Sequence, residues 1–374
     1  MDQVFVFGKP VEDKCFTDRE KDSARLAANF AAGINTFIVS PRRWGKTSLV
    51  KKVIRESGSD KLICVFADIF KAKTPTDFCE ILGNAVLKQT SSALDDFLEN
   101  ARKFLGRINV GLNLSPDSLN PFKLQLGLND EKQSMEDILA LPEKIAEKKG
   151  VRMVICLDEF QQIAEFDDSL SFQKQLRTAW QHQNRVSYCL FGSKRHMMEG
   201  LFDDETKPFY KFGDILYLKK IPLTYWSTFI SEKFRESGKA ISPDQIERIC
   251  NIVDFHSSYV QQLCWYVYLF SGQTVSEDDI TQATEELIDQ NTALFESRTE
   301  HLSPVQMRFL KAVADGIGQG FSSAEVISKY KLGSSAASVA TRKALIEKGL
   351  IYADDGKVLL ADPVLGLWLK RPSI

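Results

Sequence analysis

The 374-residue chain contains no uninterrupted apolar run of the roughly 20 residues that a membrane-spanning helix requires. Its opening Met-Asp-Gln carries no basic, apolar leader, so no membrane association is expected and the cytoplasm is the expected compartment. Seven cysteines include no Cys-x-x-Cys pair and the four histidines are scattered, which argues against a structural zinc site. Cys64, Cys156, Cys189 and Cys264 sit inside apolar runs, as buried thiols do. A dominant charge is missing too: the net charge of −2 provides no global attraction to a polyanion. What remains is an ordinary globular composition, 44% hydrophobic and 26% charged. The length allows two or three domains.

One stretch, Asn35 to Leu49, is far from ordinary. An apolar strand, Phe37-Ile38-Val39, runs into a tight loop, Gly45-Lys46-Thr47 closes it, and a helix follows at once. A nucleoside triphosphate needs that geometry, because loop amides and a helix N-terminus meet its phosphate oxygens. The predicted cradle is Pro41, Arg42, Arg43, Trp44, Gly45, Lys46, Thr47 and Ser48. Lys46 would reach the β- and γ-phosphates, and the Thr47 hydroxyl would sit on Mg²⁺. Gly-Lys-[Ser/Thr] by itself is weak, since a chain this long shows one by chance roughly one time in five. The strand before it and the helical apolar face of Leu49, Val50, Val53 and Ile54 after it favour a nucleotide site over a structural turn. Ser40 stands where such loops have their first glycine, and Pro41 follows, which pushes Ser40 towards the extended backbone of a strand end.

A second apolar run, Val151 to Leu157, ends in Asp158 and Glu159. A buried strand ending in two carboxylates suits a metal ligand, Asp158, followed by a residue that polarises the attacking water, Glu159. The alternative is a strand that merely ends in an acidic turn. The next strand, Ser187 to Gly192, leads into Ser193, Lys194 and Arg195. Ser193 is the candidate γ-phosphate sensor. Arg195 reads either as a cationic stabiliser of the transition state, in its own site or a neighbour's, or as a surface charge on the following turn.

Strand patterns at 36–40, 62–68, 151–157, 187–192 and 214–219 alternate with helical ones, which predicts an α/β fold: a parallel P-loop sheet with helices on both faces. A helix from about Asp18 to Ala32 precedes the loop, and Gly33 is its natural stop. Alternation over about 104–129 predicts an inserted hairpin around Ser115–Pro121, with Val110, Leu112 and Leu114 answered by Phe122, Leu124 and Leu126. Such a hairpin either offers a partner surface or folds back on the sheet. After Pro222 the patterns are helical, over 226–236, 242–253, 259–270 and 277–295, which reads as a lid. The last segment predicts helices at 305–314, 323–329 and 335–348, a short hairpin around Asp354–Gly356, and a closing apolar helix or turn at 362–369: a winged helix-turn-helix. The expected domains are thus a core over 1–222, a lid over 223–298 and a winged helix over 299–374.

From His301 onward ten Lys/Arg face six Asp/Glu, a local balance of +4. The third helix of this segment carries Arg342 and Lys343, and its exposed face is expected to add Ser334, Ser335, Ser338 and Thr341 as DNA-contacting groups. Real DNA readers show a stronger basic stripe, and winged helices also dock proteins. Both roles stay open.

Several motifs in order resemble the ATPases of archaea and bacteria in the AAA+/STAND group: Phe7–Val11, Phe16–Glu20, Ser40–Leu49, Leu157–Gln161, Gly192–Met198 and Pro208–Tyr210. The likeness runs over nearly the whole chain. It implies ATP/ADP binding, slow or regulated hydrolysis with the nucleotide as a switch, and an adenine bordered by Phe7–Arg19. A protein partner is also expected, of unknown identity. ATP is not distinguished from GTP by any readable residue code. One departure stands out. Where such lids place an arginine near the phosphates, this chain has Phe255-His-Ser-Ser-Tyr-Val-Gln-Gln262. His256 is expected as a plain surface histidine, with a share of the arginine's role as the alternative.

Overall fold

The computed structural model describes residues 4–11, 16–91, 110–114, 122–126 and 131–371. Two compact units emerge, one from Arg19–Ser40 and Lys46–Leu218, the other from Met1–Asp18, Pro41–Gly45 and Lys219–Ile374.

The first unit holds a five-stranded parallel sheet in the order β2-β5-β6-β1-β7. Its strands are β1 (Thr36–Val39), β2 (Leu62–Asp68), β5 (Arg152–Asp158), β6 (Val186–Phe191) and β7 (Asp214–Tyr217). The five predicted strands all form. Every residue of β6, and every residue of β5 after Arg152, is buried, so their continuous apolar sequences follow from helices covering both faces. Those helices are α1 (Glu20–Ala32), α2 (Lys46–Ser57), α3 (Pro75–Thr90), α4 (Glu131–Lys149), α5 (Ser169–Trp180) and α6 (Arg195–Phe202). α1 starts two residues later than about Asp18, because Asp18 and Arg19 take left-handed backbone with φ of 58° and 80°. It ends at Gly33 as predicted, also left-handed, whose amide bonds back to the last turn. Arg25 Nε and Asn29 Nδ2 of α1 donate to Asp214 Oδ2 at 2.9 and 2.8 Å, tying the helix to β7.

The hairpin forms as an antiparallel pair, β3 (Val110–Leu114) with β4 (Phe122–Leu126). Its register sets Val110, Leu112 and Leu114 opposite Leu126, Leu124 and Phe122, the pairing the alternation implies. The turn at 115–121 and the flanks at 104–109 and 127–129 lie outside the described residues.

The second unit is helical. It contains α7 (Leu223–Glu236), α8 (Pro243–Ile252), α9 (Ser257–Phe270), α10 (Glu277–Thr299), α11 (Pro304–Ala314), α12 (Ala324–Tyr330) and α13 (Ser335–Glu347). The hairpin wing, β8 (Ile351–Asp354) with β9 (Lys357–Leu360), and α14 (Pro363–Leu369) complete it. Capping boxes at Ser242/Gln245, Ser276/Asp279 and Ser303/Gln306 start α8, α10 and α11. The apolar tail is a helix because Asp362 Oδ1 accepts the Val364 and Leu365 amides at 3.0 and 3.4 Å. A single hydrophobic core runs through α7 to α10 and the winged helix, from Trp226, Phe234 and Leu263 to Phe309, Leu345 and Trp368. Phe5 joins that core against Phe229 and Phe234, with ring centroids 6.2 and 5.6 Å apart, so the N-terminal segment packs with the helical unit.

Candidate functional site

The strand ends of the sheet unit gather the predicted chemistry. β1 stops before Pro41, α2 starts at Lys46, and the turn between them uses left-handed backbone at Arg43 (φ 64°) and Gly45 (φ 93°). A glycine suits the second of these, since no side chain adopts that angle without strain. Pro41 and Trp44 are buried, whereas Arg42 and Arg43 are exposed. The first turn of α2 carries no acidic residue, so its positive dipole end is not neutralised from within.

Lys46 is buried, and its Nζ donates to the Ser40 carbonyl at 2.8 Å and to Ser40 Oγ at 3.1 Å. The departure from glycine at position 40 therefore has a consequence: the serine hydroxyl gives the lysine an additional acceptor. The next residue, Thr47, donates from Oγ1 to Asp158 Oδ2 at 2.7 Å, joining the start of α2 to the end of β5. Ser48 is buried as well.

Asp158 lies against two further carboxylates. Its neighbour in the chain is Glu159, and its register partner on β2 is Asp68, which the sequence reading overlooked. Burial pushes the Asp158 carboxyl up to about 6. The Thr47 hydroxyl and the Glu159 amide pull it down, and the charges of Glu159 and Asp68 push it up. A buried carboxylate that is costly to ionise, beside other carboxylates and a hydroxyl, gains from a hard divalent cation. Among the described residues no group of three or more His, Cys, Asp or Glu could hold a metal ion by itself.

Glu159 takes left-handed backbone, φ 57°, at the turn leaving β5. Its Oε2 accepts from Ser193 Oγ at 2.8 Å, from the Ser193 amide at 3.2 Å and from Gln161 Nε2. Ser193, the predicted sensor, is thus brought directly to the predicted water-polarising carboxylate. Gln161, buried to 2% exposure, was visible in the sequence only as part of a motif. Its place explains Gly192: a Cβ there would stand 1.7 Å from Gln161 Oε1. Arg195, at the start of α6, donates from Nε to Glu199 Oε1 at 2.7 Å. The structure pairs it with Glu199 within its own helix.

Two expectations need correction. His256 is not a surface residue: it is 5% exposed, and Nε2 lies 3.1 Å from the carbonyl oxygen of Arg42 in the turn before α2. Ser338 does not face outward either: it is 1% exposed and donates to the Phe321 carbonyl at 2.7 Å, because α13 turns that side into the winged-helix core. Ser334 caps α13 by accepting the Ala337 amide at 3.1 Å. Lys343 remains exposed, 4.0 Å from Glu347, and Arg342 is half-buried.

Residues 293–371 match the family described as a probable winged helix domain. Over almost its whole length the chain is similar to a solved structure, the Walker-type ATPase PABY2304 of Pyrococcus abyssi. The identity is 18% and the TM-score 0.71, with 99% of this chain and 100% of that chain covered. The chain has the fold of an AAA+ ATPase ending in a winged helix. It is also similar to the ORC2 protein of Aeropyrum pernix in ADPNP-ADP complexes, at 15% identity and TM-score 0.55 over 99% of this chain and 98% of that one. The ORC1 protein of the same organism in complex with DNA matches at 12% identity and TM-score 0.51, over 96% and 94%. No curated protein matches the chain. At these identities the likeness establishes the fold, and the fold is the one the sequence motifs implied. Among the described residues no helix of this ATPase fold is long and apolar enough to cross a membrane.

Proposed function

We propose that the chain is an ATP-binding P-loop ATPase of the STAND type whose slow, regulated hydrolysis switches the helical unit between states. The observation that carries this reading is the 2.7 Å bond from Thr47 Oγ1 to Asp158 Oδ2 beside a buried Lys46. Loop amides and Lys46 bind the triphosphate, and Thr47 with Asp158 holds Mg²⁺, which would neutralise charge on the phosphate oxygens. Glu159, oriented by Ser193 and Gln161, accepts a proton from the attacking water. Pro41–Gly45 belong to the same compact unit as the lid and winged helix. Titration with Mg·ATP tests the site: wild type binds, and Lys46→Ala binds at least 100-fold more weakly. Equal affinity in that variant would refute the assignment.

A second reading, a nucleotide-binding regulator of nucleic acid with negligible turnover, draws on the winged helix and on the exposed cation of Lys343 next to Arg342. Salt-sensitive duplex binding that weakens when both residues become alanine supports it, and binding insensitive to salt contradicts it.

A further inference from the structure

The phosphate loop is connected to the winged helix by two buried side chains that the phosphate chemistry does not use. His256 follows a turn in which Asp254 and Phe255 both take left-handed backbone, φ 49° and 55°. Two consecutive non-glycine residues in that region persist only where the surroundings hold them there. The turn presents the imidazole to the loop, Nε2 3.1 Å from the Arg42 carbonyl. A carbonyl oxygen only accepts, so Nε2 carries the proton. Burial also holds the ring's pKa down at about 4, which keeps it neutral at pH 7. Among the described residues Nδ1 is then a buried acceptor with no partner, an arrangement that costs stability and that an apolar side chain of similar shape would avoid.

The contacts continue from there. The His256 and Tyr259 rings stand 4.7 Å apart between centroids. Tyr259, 1% exposed, donates its hydroxyl to Asp362 Oδ2 at 2.8 Å. The other oxygen of Asp362 caps α14 through the Val364 and Leu365 amides. The chain of contacts thus runs from loop backbone to the helix that closes the winged helix, entirely inside one compact unit.

We propose that His256 and Tyr259 are positioning residues through which triphosphate at the Arg42–Gly45 backbone alters the capping of α14 by Asp362, so that the winged helix reports the nucleotide state. The proposal rests on reading the loop as a nucleotide site. A merely structural pair would hold the fold together without transmitting anything, and amide hydrogen exchange on the full chain separates the two.

In wild type, a non-hydrolysable ATP analogue with Mg²⁺ is expected to slow exchange at Arg42–Gly45 and to change it at Val364 and Leu365 at least threefold. Tyr259→Phe keeps the ring and loses only the hydroxyl. It should retain the loop protection, melt a few degrees below wild type because Asp362 Oδ2 loses its donor, and lose the response at Val364 and Leu365. A response that persists there, or a wild type protected at the loop but silent at α14, overturns the relay. Absence of loop protection in wild type overturns the nucleotide reading instead. The coupling is then measured without nucleotide: Asp362→Asn should change exchange at Arg42–Gly45 at least threefold, and unchanged exchange overturns it.

Discussion

The hydroxyl of Thr47 and the carboxylate of Asp158, 111 residues apart in sequence, meet at 2.7 Å. That one bond sets the N-terminus of α2 beside the acidic end of β5, where the proposed metal-bound triphosphate would dock. Removing the partner of that point, the charge on Lys46, is the simplest perturbation. Lys46→Ala should weaken Mg·ATP binding by about 100-fold, close to 2.7 kcal/mol, while leaving the melting temperature within a few degrees. Isothermal titration and thermal melting on the same samples check both halves.

Asp158 makes stability depend on pH in a direction opposite to that of a salt-bridged carboxylate. Its folded pKa of about 6 lies above the ordinary 3.8, with burial the first cause. The folded state therefore binds a proton that the unfolded state has released across pH 4 to 6, and stability falls as pH rises through that window. The full difference is worth at most about 3 kcal/mol. Without nucleotide or metal, wild type should lose melting temperature relative to Asp158→Asn between pH 4 and 6, and the two should run parallel above pH 7. A constant difference from pH 4 upward would contradict the assignment.

Gly192 tests the support of Glu159. A methyl group there displaces the Gln161 amide, removing one of the donors on Glu159 Oε2. Gly192→Ala should cost roughly 1–3 kcal/mol of stability, the usual cost of overpacking. It should also lower turnover several-fold with little change in nucleotide affinity. Gln161→Ala, which removes the donor without the added volume, should reproduce the turnover effect with a smaller stability cost. If Gln161→Ala turns over like wild type, the amide does not position Glu159.

Much of this arrangement was legible in the sequence because its signals are local. β5 and β6 read as unbroken apolar runs since both faces of a parallel sheet are buried, and Gly45-Lys46-Thr47 announces a loop by its spacing. Ser242, Ser276 and Ser303 mark helix starts by capping chemistry that spans three residues. What stayed hidden depends on contacts distant in sequence. Asp68 meets Asp158 through strand register, Gln161 reaches its site only because Gly192 lacks a side chain, and His256 is buried against a loop 214 residues away. Ser338 was misplaced for another reason. α13 is built from serines and alanines with few apolar markers, so its buried side cannot be told from its pattern.

Ser338 offers a test on the winged helix itself. Ser338→Ala leaves the Phe321 carbonyl without its donor and should cost about 1–3 kcal/mol, with duplex affinity unchanged. The double change Arg342→Ala and Lys343→Ala should do the reverse if the module touches DNA: stability nearly constant, and the salt slope of duplex binding reduced by about 2. Melting and salt-dependent anisotropy titrations separate them. Loss of affinity in Ser338→Ala without loss of stability would restore that serine as a contact.

The most direct measurement is phosphate release from Mg·ATP by the purified chain over a range of protein concentrations, beside Glu159→Gln. The account predicts slow release from wild type and none above background from the variant, which should still bind nucleotide. Specific activity independent of concentration would accord with Arg195 engaged by its own Glu199, and a rise would give it a role in a neighbour's site. Release that continues undiminished in Glu159→Gln would contradict the central claim that this carboxylate, held by Ser193 and Gln161, activates the water.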